Sequence, residues 1–250
     1  MKMLLTGSIL KEMNVDILAI GAHPDDIEIS ASGTILKHID QGKTVAIVDL
    51  TQGELGTRGT IETRYEEAAK AGRILGISDR VNLKMADGFF EHNQENLIKI
   101  IEQVRKYRPR IILANSVTDR HPDHGKAAKL IADACFLSGL RKIETTLDGT
   151  IQEAYRPAAV YHYIQDRYIE PDFVVDISEY IDRKFESILA YSTQFYNPDS
   201  NEPNTPISGK EFLDFLKGRN AEFGRQIGVA YAEGFTVERL IGVEDLLTLI

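Results

Sequence analysis

Short apolar runs alternate with amphipathic stretches along the first half of the chain. Residues 15–20 form a continuous apolar run that ends at Gly21, which is typical of a strand buried on both faces. A helical pattern follows, and Gly42 stands where such a helix is expected to stop. The same alternation then repeats. The predicted strands cover residues 15–20, 44–50, 81–85 and 110–114, and the predicted helices cover residues 27–39, 61–75, 93–107 and 122–137.

This order of elements predicts the fold class. Strands that alternate with helices favour βαβ units, and hence a mostly parallel sheet with helices on both faces. We therefore expect one α/β, Rossmann-like domain over residues 14–250, preceded by an N-terminal extension over residues 1–13. The part after Gly139 is less regular, with strands predicted at 158–164 and 173–177 and helices at 180–191 and 211–223. Residues 197–208 predict a long surface loop, and loops of that length are often functional.

Composition and charge make several classes of function less probable for this chain. The 250 residues suffice for one domain with a sizeable core, and the net charge of -9 gives no general attraction for nucleic acid or anionic membranes. No apolar stretch approaches the roughly 18 residues of a transmembrane helix. The one cysteine, Cys135, excludes an intrachain disulfide and fits a reducing cytoplasm, where we place the protein. Its apolar surroundings favour a buried side chain over a nucleophile.

Two polar clusters follow predicted strands. Residues 22–26 (AHPDD) come directly after the first strand, and residues 121–124 (HPDH) come after the fourth. Three of the six histidines fall in these nine residues. In the common strand order 3-2-1-4-5, strands one and four are neighbours at the carboxyl edge, where sites form. The fold should therefore bring the two clusters face to face.

The clusters contain the groups that a metal-dependent hydrolase needs. A catalytic zinc takes three His or carboxylate ligands and keeps one position open. A spare carboxylate can take a proton from water, and a spare histidine can stabilise an oxyanion or protonate a leaving amine. Taken singly, each residue is more typical of a turn or helix cap. The pairing of clusters favours metal chemistry, although the pattern alone leaves open which of Asp25 and Asp26 binds the ion.

The paired clusters resemble the two signatures of the LmbE-like, or PIG-L, zinc deacetylases, which remove N-acetyl groups from glucosamine-containing substrates. The resemblance covers nearly the whole chain from about Asn14, including residues 51–59 (TQGELGTRG) and 231–235 (YAEGF). It is greatest to the bacillithiol-biosynthesis branch, which deacetylates N-acetylglucosaminyl-malate. It implies an LmbE-like fold, a small-molecule GlcNAc conjugate as substrate and, because members are often hexamers, a homo-oligomer.

The resemblance also assigns roles residue by residue. It implies that His23, Asp26 and His124 bind zinc and that Asp25 is the general base. It implies that His121 stabilises the tetrahedral intermediate, with Asp123 orienting it and holding it charged. Two histidines and one carboxylate also suit Fe²⁺.

Residues outside the two clusters have less specific signals. Arg58, in the Gly-rich loop after the second strand, is the candidate substrate-binding residue, because a malate-bearing substrate needs a guanidinium or backbone donors. A solvated loop arginine is the alternative. Arg64 and Glu67 are predicted to be charges on a helix surface. His162 lies in a predicted strand, where a structural role is favoured over a catalytic one.

Other functions fit parts of the pattern. A deacetylase of chitooligosaccharides, or of another GlcNAc conjugate, would use the same metal site. A non-catalytic metal-binding protein would need neither Asp25 nor His121. A nucleotide-binding protein is disfavoured because residues 21–26 (GAHPDD) lack the G-x-G-x-x-G pattern, and two acids would repel a pyrophosphate.

Overall fold

The computed structural model describes residues 13–249, which contain nine strands and six α-helices. The strands are β1 (Ile17–Gly21), β2 (Val45–Thr51), β3 (Asp79–Met85), β4 (Ile111–Ala114), β5 (Thr146–Leu147), β6 (Thr150–Ile151), β7 (Ala159–Tyr163), β8 (Phe173–Asp176) and β9 (Ala232–Val237). The helices are α1 (Asp26–Asp40), α2 (Ile61–Leu75), α3 (Gln94–Tyr107), α4 (Pro122–Leu137), α5 (Ile181–Leu189) and α6 (Lys210–Gln226). Residues 1–12 of the predicted N-terminal extension lie outside the described residues, so this boundary stays a prediction.

Seven strands form one sheet in the order β3-β2-β1-β4-β7-β9-β8, and β5 pairs with β6 in a separate hairpin. The first five strands in this order run parallel, whereas β9 is antiparallel to both of its neighbours. The predicted α/β class and the neighbouring position of the first and fourth strands are therefore confirmed. After β1, the chain adds β2 and β3 along one edge of β1. It then returns and adds β4 along the opposite edge of β1. This reversal opens a crevice at the carboxyl ends of β1 and β4.

Both faces of the sheet are covered, which explains why β1 and the first four residues of β2 are apolar. Leu18 and Ile20 point into a core formed with α3 and α4. Ile17 and Ala19 point the other way, into a core formed with α1. Cys135 is buried in the first of these cores, as predicted. Within the described residues, no helix combines the length and apolar character required to cross a membrane.

Strand β9 was not predicted from the sequence. It contains Glu233 and Gly234, residue types that are depleted in strands. Glu233 is tolerated there because Lys184 Nζ lies 2.7 Å from its Oε1, and both side chains are fully buried. The same carboxylate accepts hydrogen bonds from the backbone N–H groups of Gly33 and Thr34 in α1. This tertiary pairing links β9, α5 and α1.

Candidate metal centre and active site

The carboxyl ends of β1 and β4 bring the two polar clusters together. The ring centroid of His23 lies 4.7 Å from that of His121 and 5.5 Å from that of His124. The centroids of His121 and His124 are 5.2 Å apart. The strand order therefore places three histidines from two distant stretches of sequence around one point, as the sequence predicted.

Asp26 lies between two of these rings. It is the first residue of α1 and is 2% exposed. Its Oδ2 accepts hydrogen bonds from the backbone N–H of His23 (3.0 Å) and from Asn115 Nδ2 (2.9 Å), and its Oδ1 accepts one from Gln165 Nε2 (3.0 Å). Oδ1 is also 3.2 Å from His124 Nε2, and Oδ2 is 3.7 Å from His23 Nδ1. Groups that follow β1, β4 and β7 thus fix this carboxylate between the imidazoles.

Each of the two imidazoles is held from its outer side by a further carboxylate. His124 Nδ1 is bonded to Asp119 Oδ2 (2.5 Å), which leaves Nε2 toward Asp26. His23 Nε2 is bonded to Asp87 Oδ1 (3.0 Å), which leaves Nδ1 toward Asp26. Metal-binding histidines typically have such an outer partner, which fixes the ring orientation. Asp119 and Asp87 were not predicted as site residues, although Asp119 stands only five positions before His124.

The spacing of these inner atoms suits a metal ion. Donors around a tetrahedral zinc, with bonds of about 2.0–2.1 Å, lie about 3.3 Å from one another. His124 Nε2 lies 3.2 Å from Oδ1 of Asp26, and His23 Nδ1 lies 3.7 Å from Oδ2, so each imidazole is near this separation from one oxygen of the carboxylate. Two sets of donor atoms among the described residues lie within 4.8 Å of one another, namely His23, His121 and His124, and His23, Asp87 and Asp123. Asp26 belongs to neither set, although each of the two imidazoles turns a nitrogen toward one oxygen of its carboxylate.

Electrostatics favour a cation at the same place. Burial alone would lower the pKa of His23, but the carboxylates of Asp123, Asp26 and Asp87 raise it well above its ordinary value. Burial likewise opposes protonation of His124, yet two carboxylates raise the pKa of this residue to about 9. A divalent cation can replace protons held in this way, because metal ligands bind in their deprotonated forms. The donor set therefore fits Zn²⁺ or Fe²⁺.

Asp25 adopts an unusual backbone conformation beside this centre. Its φ of 119° is rare for a residue with a side chain. Arg64 Nη1 donates hydrogen bonds to Asp25 Oδ2 (3.1 Å) and to the carbonyl oxygen of Pro24 (2.8 Å), which stabilises the turn. Burial raises the pKa of Asp25 to about 7, although the Arg64 guanidinium acts to lower it. A carboxyl group that titrates near neutrality is suited to proton transfer.

The prediction that Arg64 and Glu67 are helix-surface charges was wrong. Each of the two residues is 7% exposed. Glu67 accepts hydrogen bonds from the backbone N–H of Thr193 (2.7 Å) and from its hydroxyl (2.8 Å). The pattern along α2 could not show this burial, because the partners come from the turn before α1 and from the loop after α5.

The relation between His121 and Asp123 also differs from the expectation. The Asp123 carboxylate accepts a hydrogen bond from the Gly88 N–H (2.7 Å) and lies 2.6 Å from Lys126 Nζ. Its link to His121 is through the backbone, since the Asp123 N–H donates to Nδ1 of the ring (3.3 Å). Burial lowers the pKa of His121, and the two neighbouring histidines lower it further. The Asp123 carboxylate acts in the opposite direction and raises the pKa of His121. Because Nδ1 accepts the backbone hydrogen bond, Nε2 is the ring nitrogen that faces away from Asp123 N–H.

Arg58 is directed away from the histidines. Its Nη2 donates to the hydroxyl of Ser200, and its Nε lies 3.7 Å from Glu202 Oε2. Its carbonyl oxygen accepts a hydrogen bond from Gln194 Nε2 (2.8 Å). Arg58 therefore ties its own loop to the long loop that follows α5, and it is absent from the described residues that line the cavity at the histidines. This geometry does not support the predicted contact of Arg58 with substrate.

A cavity of about 300 Å³ opens onto His23, Asp25 and the second cluster. One part of its wall is apolar and is formed by Ile29, Leu55, Pro206, Ile207 and Phe212. Two guanidinium groups, those of Arg64 and Arg120, also line it. Pro206 and Ile207 belong to the loop that the sequence predicted to be functional. The combination of an apolar wall with a few convergent polar groups is typical of a small-molecule site.

His162 lies behind the centre rather than in the cavity. Its Nδ1 is bonded to the carbonyl oxygen of Asn115 (2.8 Å), and its Nε2 lies 3.2 Å from Glu238 Oε1. It is 1% exposed and pairs with Ala114 of β4 in the sheet register. These contacts agree with the structural role that the sequence favoured.

The chain belongs to the PIG-L, or LmbE-like, family, whose model, described as GlcNAc-PI de-N-acetylase, matches residues 18–135. A conserved protein of known structure from Thermus thermophilus is 34% identical, with a TM-score of 0.81, over 92% of this chain and 98% of that chain. Diacetylchitobiose deacetylase from Thermococcus kodakarensis is 29% identical over 87% of this chain and 81% of its own length. A probable N-acetyl-alpha-D-glucosaminyl L-malate deacetylase 2 from Bacillus anthracis is 26% identical over 72% of this chain and 81% of its own length.

Proposed function

We propose that this chain is a metal-dependent N-deacetylase that hydrolyses the acetamide of a small GlcNAc conjugate. One arrangement carries the proposal: His23 and His124 each turn a ring nitrogen toward the Asp26 carboxylate, and Asp25 lies beside them in the cavity. The relatives named as deacetylases of diacetylchitobiose and of N-acetylglucosaminyl-malate support this class of substrate.

His23, Asp26 and His124 would hold the ion, for which we propose Zn²⁺, with Fe²⁺ as an ion that suits the same donors. When bound, the ion supplies a Lewis acid that polarises the acetamide carbonyl and lowers the pKa of a water molecule. Asn115 and Gln165 keep the Asp26 carboxylate in place through their side-chain amides. The centre is therefore organised by the protein before any substrate enters.

Asp25 transfers the proton in this reaction, and His121 donates a hydrogen bond. Arg64 occupies Oδ2 of Asp25, so Oδ1 accepts the proton from the attacking water and returns it to the leaving amine. His121 receives a hydrogen bond from a backbone N–H at Nδ1, so its Nε2–H is free to donate to the oxyanion that develops on the carbonyl oxygen. A neutral His121 can act as this donor, so the role does not require the Asp123 carboxylate to keep His121 protonated.

N-acetylglucosaminyl-malate, the substrate in bacillithiol biosynthesis, is the conjugate that we propose. Arg120 supports it: this side chain lines the cavity, is 46% exposed and lies 2.8 Å from Asp166 Oδ2. A malate carboxylate can replace Asp166 as the partner of the guanidinium. Diacetylchitobiose is the second candidate, because the relative that acts on it aligns over the larger share of this chain. The cytoplasmic location stays a prediction.

Release of free amine from these two substrates, measured side by side with zinc-loaded protein, tests the proposal. We expect a strong preference for the malate conjugate. Arg120→Gln should raise KM for that conjugate and leave KM for diacetylchitobiose unchanged, with Arg73→Gln on the exposed end of α2 as the control. Equal release, or a preference for chitobiose, would reject the malate assignment. Failure to release amine from either substrate, with metal bound, would reject the deacetylase.

A further inference from the structure

A second cavity lies beside the candidate active site. Its volume is about 300 Å³, and it lies between the residues that follow β7 and one face of α6. Asp166 lines this cavity as well as the cavity at the histidines, so the two are neighbours. We call it the α6 pocket, and its other lining residues are Tyr168, Phe215, Gly218, Arg219 and Glu222. The last four have the i, i+3, i+4 and i+7 spacing that places residues on one face of a helix.

The α6 pocket contains a buried cation that lacks an acceptor. Arg219 is only 6% exposed, and its Nη1 has no hydrogen-bond partner among the described residues. Its Cζ lies 5.6 Å from the centroid of the Phe215 ring. Burial lowers the pKa of Arg219 to about 10, although the Glu233 carboxylate acts to raise it, so the group stays charged at neutral pH. A buried donor without a partner is unfavourable, and a ligand oxygen in the pocket would supply the missing acceptor.

The other walls of the pocket favour a neutral ligand that carries hydroxyl groups. Asp166 and Glu222 supply carboxylates, which accept hydrogen bonds and would repel an anion. Tyr168 and Phe215 are 56% and 43% exposed, so both rings are accessible to a ligand. The Tyr168 hydroxyl donates to Glu170 Oε2 (2.7 Å), which helps to orient its ring. A sugar ring matches all three kinds of group, because it has hydroxyl donors, oxygen acceptors and C–H faces that pack on aromatic rings.

We propose that the α6 pocket is a second binding site, which takes one neutral sugar unit. Arg219 would donate to an oxygen of the sugar, and the carboxylates of Asp166 and Glu222 would accept from its hydroxyl groups. The rings of Tyr168 and Phe215 would pack against its C–H faces. The inference goes beyond the proposed deacetylation, because a sugar that carries no acetamide matches the same groups.

A fluorescence titration tests the inference. The chain contains no tryptophan, so Tyr168→Trp places the only one at the pocket and keeps an aromatic ring there. We expect cellobiose, a neutral disaccharide, to change this fluorescence in a saturable way in the metal-loaded protein. Because cellobiose has no amide bond, the result does not depend on deacetylation. The absence of a saturable change, or a saturable change with inorganic phosphate instead of cellobiose, would overturn the inference.

Substitutions in the Tyr168→Trp protein locate the bound sugar. A Cβ added at Gly218 would meet no atom within 4 Å, so Gly218→Leu should fill the pocket without displacing the core and weaken cellobiose binding at least ten-fold. Gln226→Leu, at the exposed last residue of α6, is the matched control and should leave binding unchanged. Arg219→Gln should also weaken binding at least ten-fold, with circular dichroism to show that the fold is kept. Binding that Gly218→Leu leaves unchanged would place the sugar elsewhere and overturn the inference.

Discussion

Removal of Arg64 should shift the pH dependence of the reaction. The Arg64 guanidinium lies 3.1 Å from Asp25 Oδ2, and both side chains are buried. At an effective dielectric constant of about 20, two charges at this distance attract by about 5 kcal/mol, which is an upper bound because the surroundings relax. A nearby opposite charge lowers a carboxyl pKa by roughly 1–3 units. Arg64→Gln should therefore raise the pKa of Asp25 from about 7 by an amount in that range.

The sign of the effect follows from the role of Asp25 as a base. A general base works in its ionised form, so activity is lost as the pH falls through its pKa. At pH values well below the pKa, a rise of roughly 1–3 units lowers the ionised fraction, and with it kcat/KM, by about 10- to 1000-fold. The activity should return as the pH is raised. A bound cation lowers the pKa in both proteins, so the difference between the two profiles is the quantity to measure.

The assay is kcat/KM for amine release over a wide pH range, with metal content determined on the same samples. Arg64→Lys keeps the charge and should shift the profile less than Arg64→Gln. Arg73→Gln removes an exposed arginine from the same helix and should not shift it. A loss of activity that is equal at every pH would refute the electrostatic argument and leave Arg64 only a structural role in the turn.

Two further substitutions test the surroundings of the centre. Asp119→Asn removes the charged partner of His124 Nδ1 and should weaken metal binding by roughly 10- to 100-fold in a chelator competition, whereas an unchanged affinity would contradict the outer-partner role. Lys184→Met leaves the buried Glu233 charge without its partner and should lower the free energy of unfolding by about 3–5 kcal/mol in urea denaturation. Glu233→Leu added to that variant should recover part of the loss, and no recovery would contradict the pairing.

The sequence was sufficient for the features that depend on strand order. The alternation of apolar runs and helices defines β1 to β4, and the usual winding of such folds makes β1 and β4 neighbours. Since His23 and His124 each follow one of these strands or its loop, their meeting could be predicted without coordinates. The buried position of Cys135 followed in the same way from its apolar neighbours.

Features that depend on side-chain partners far apart in the sequence could not be predicted from the local sequence pattern. The sequence of α2 predicts a surface charge at Arg64. The side chain is buried because the turn before α1 packs against it. Asp123 was expected to orient His121 and hold it charged. Its carboxylate instead contacts Gly88 and Lys126. Strand β9 was missed because its acidic residue, Glu233, is acceptable in a sheet only with Lys184 opposite it.

Metal content and turnover, measured together on His124→Ala and Asp25→Asn, test the central claim most directly. His124→Ala removes an inner ligand and should lose both the metal and the activity. Asp25→Asn should keep one metal ion per chain and lose turnover by roughly 10²–10⁴-fold, because only the proton acceptor is removed. Stoichiometric metal in His124→Ala, or undiminished turnover in Asp25→Asn, would contradict the account.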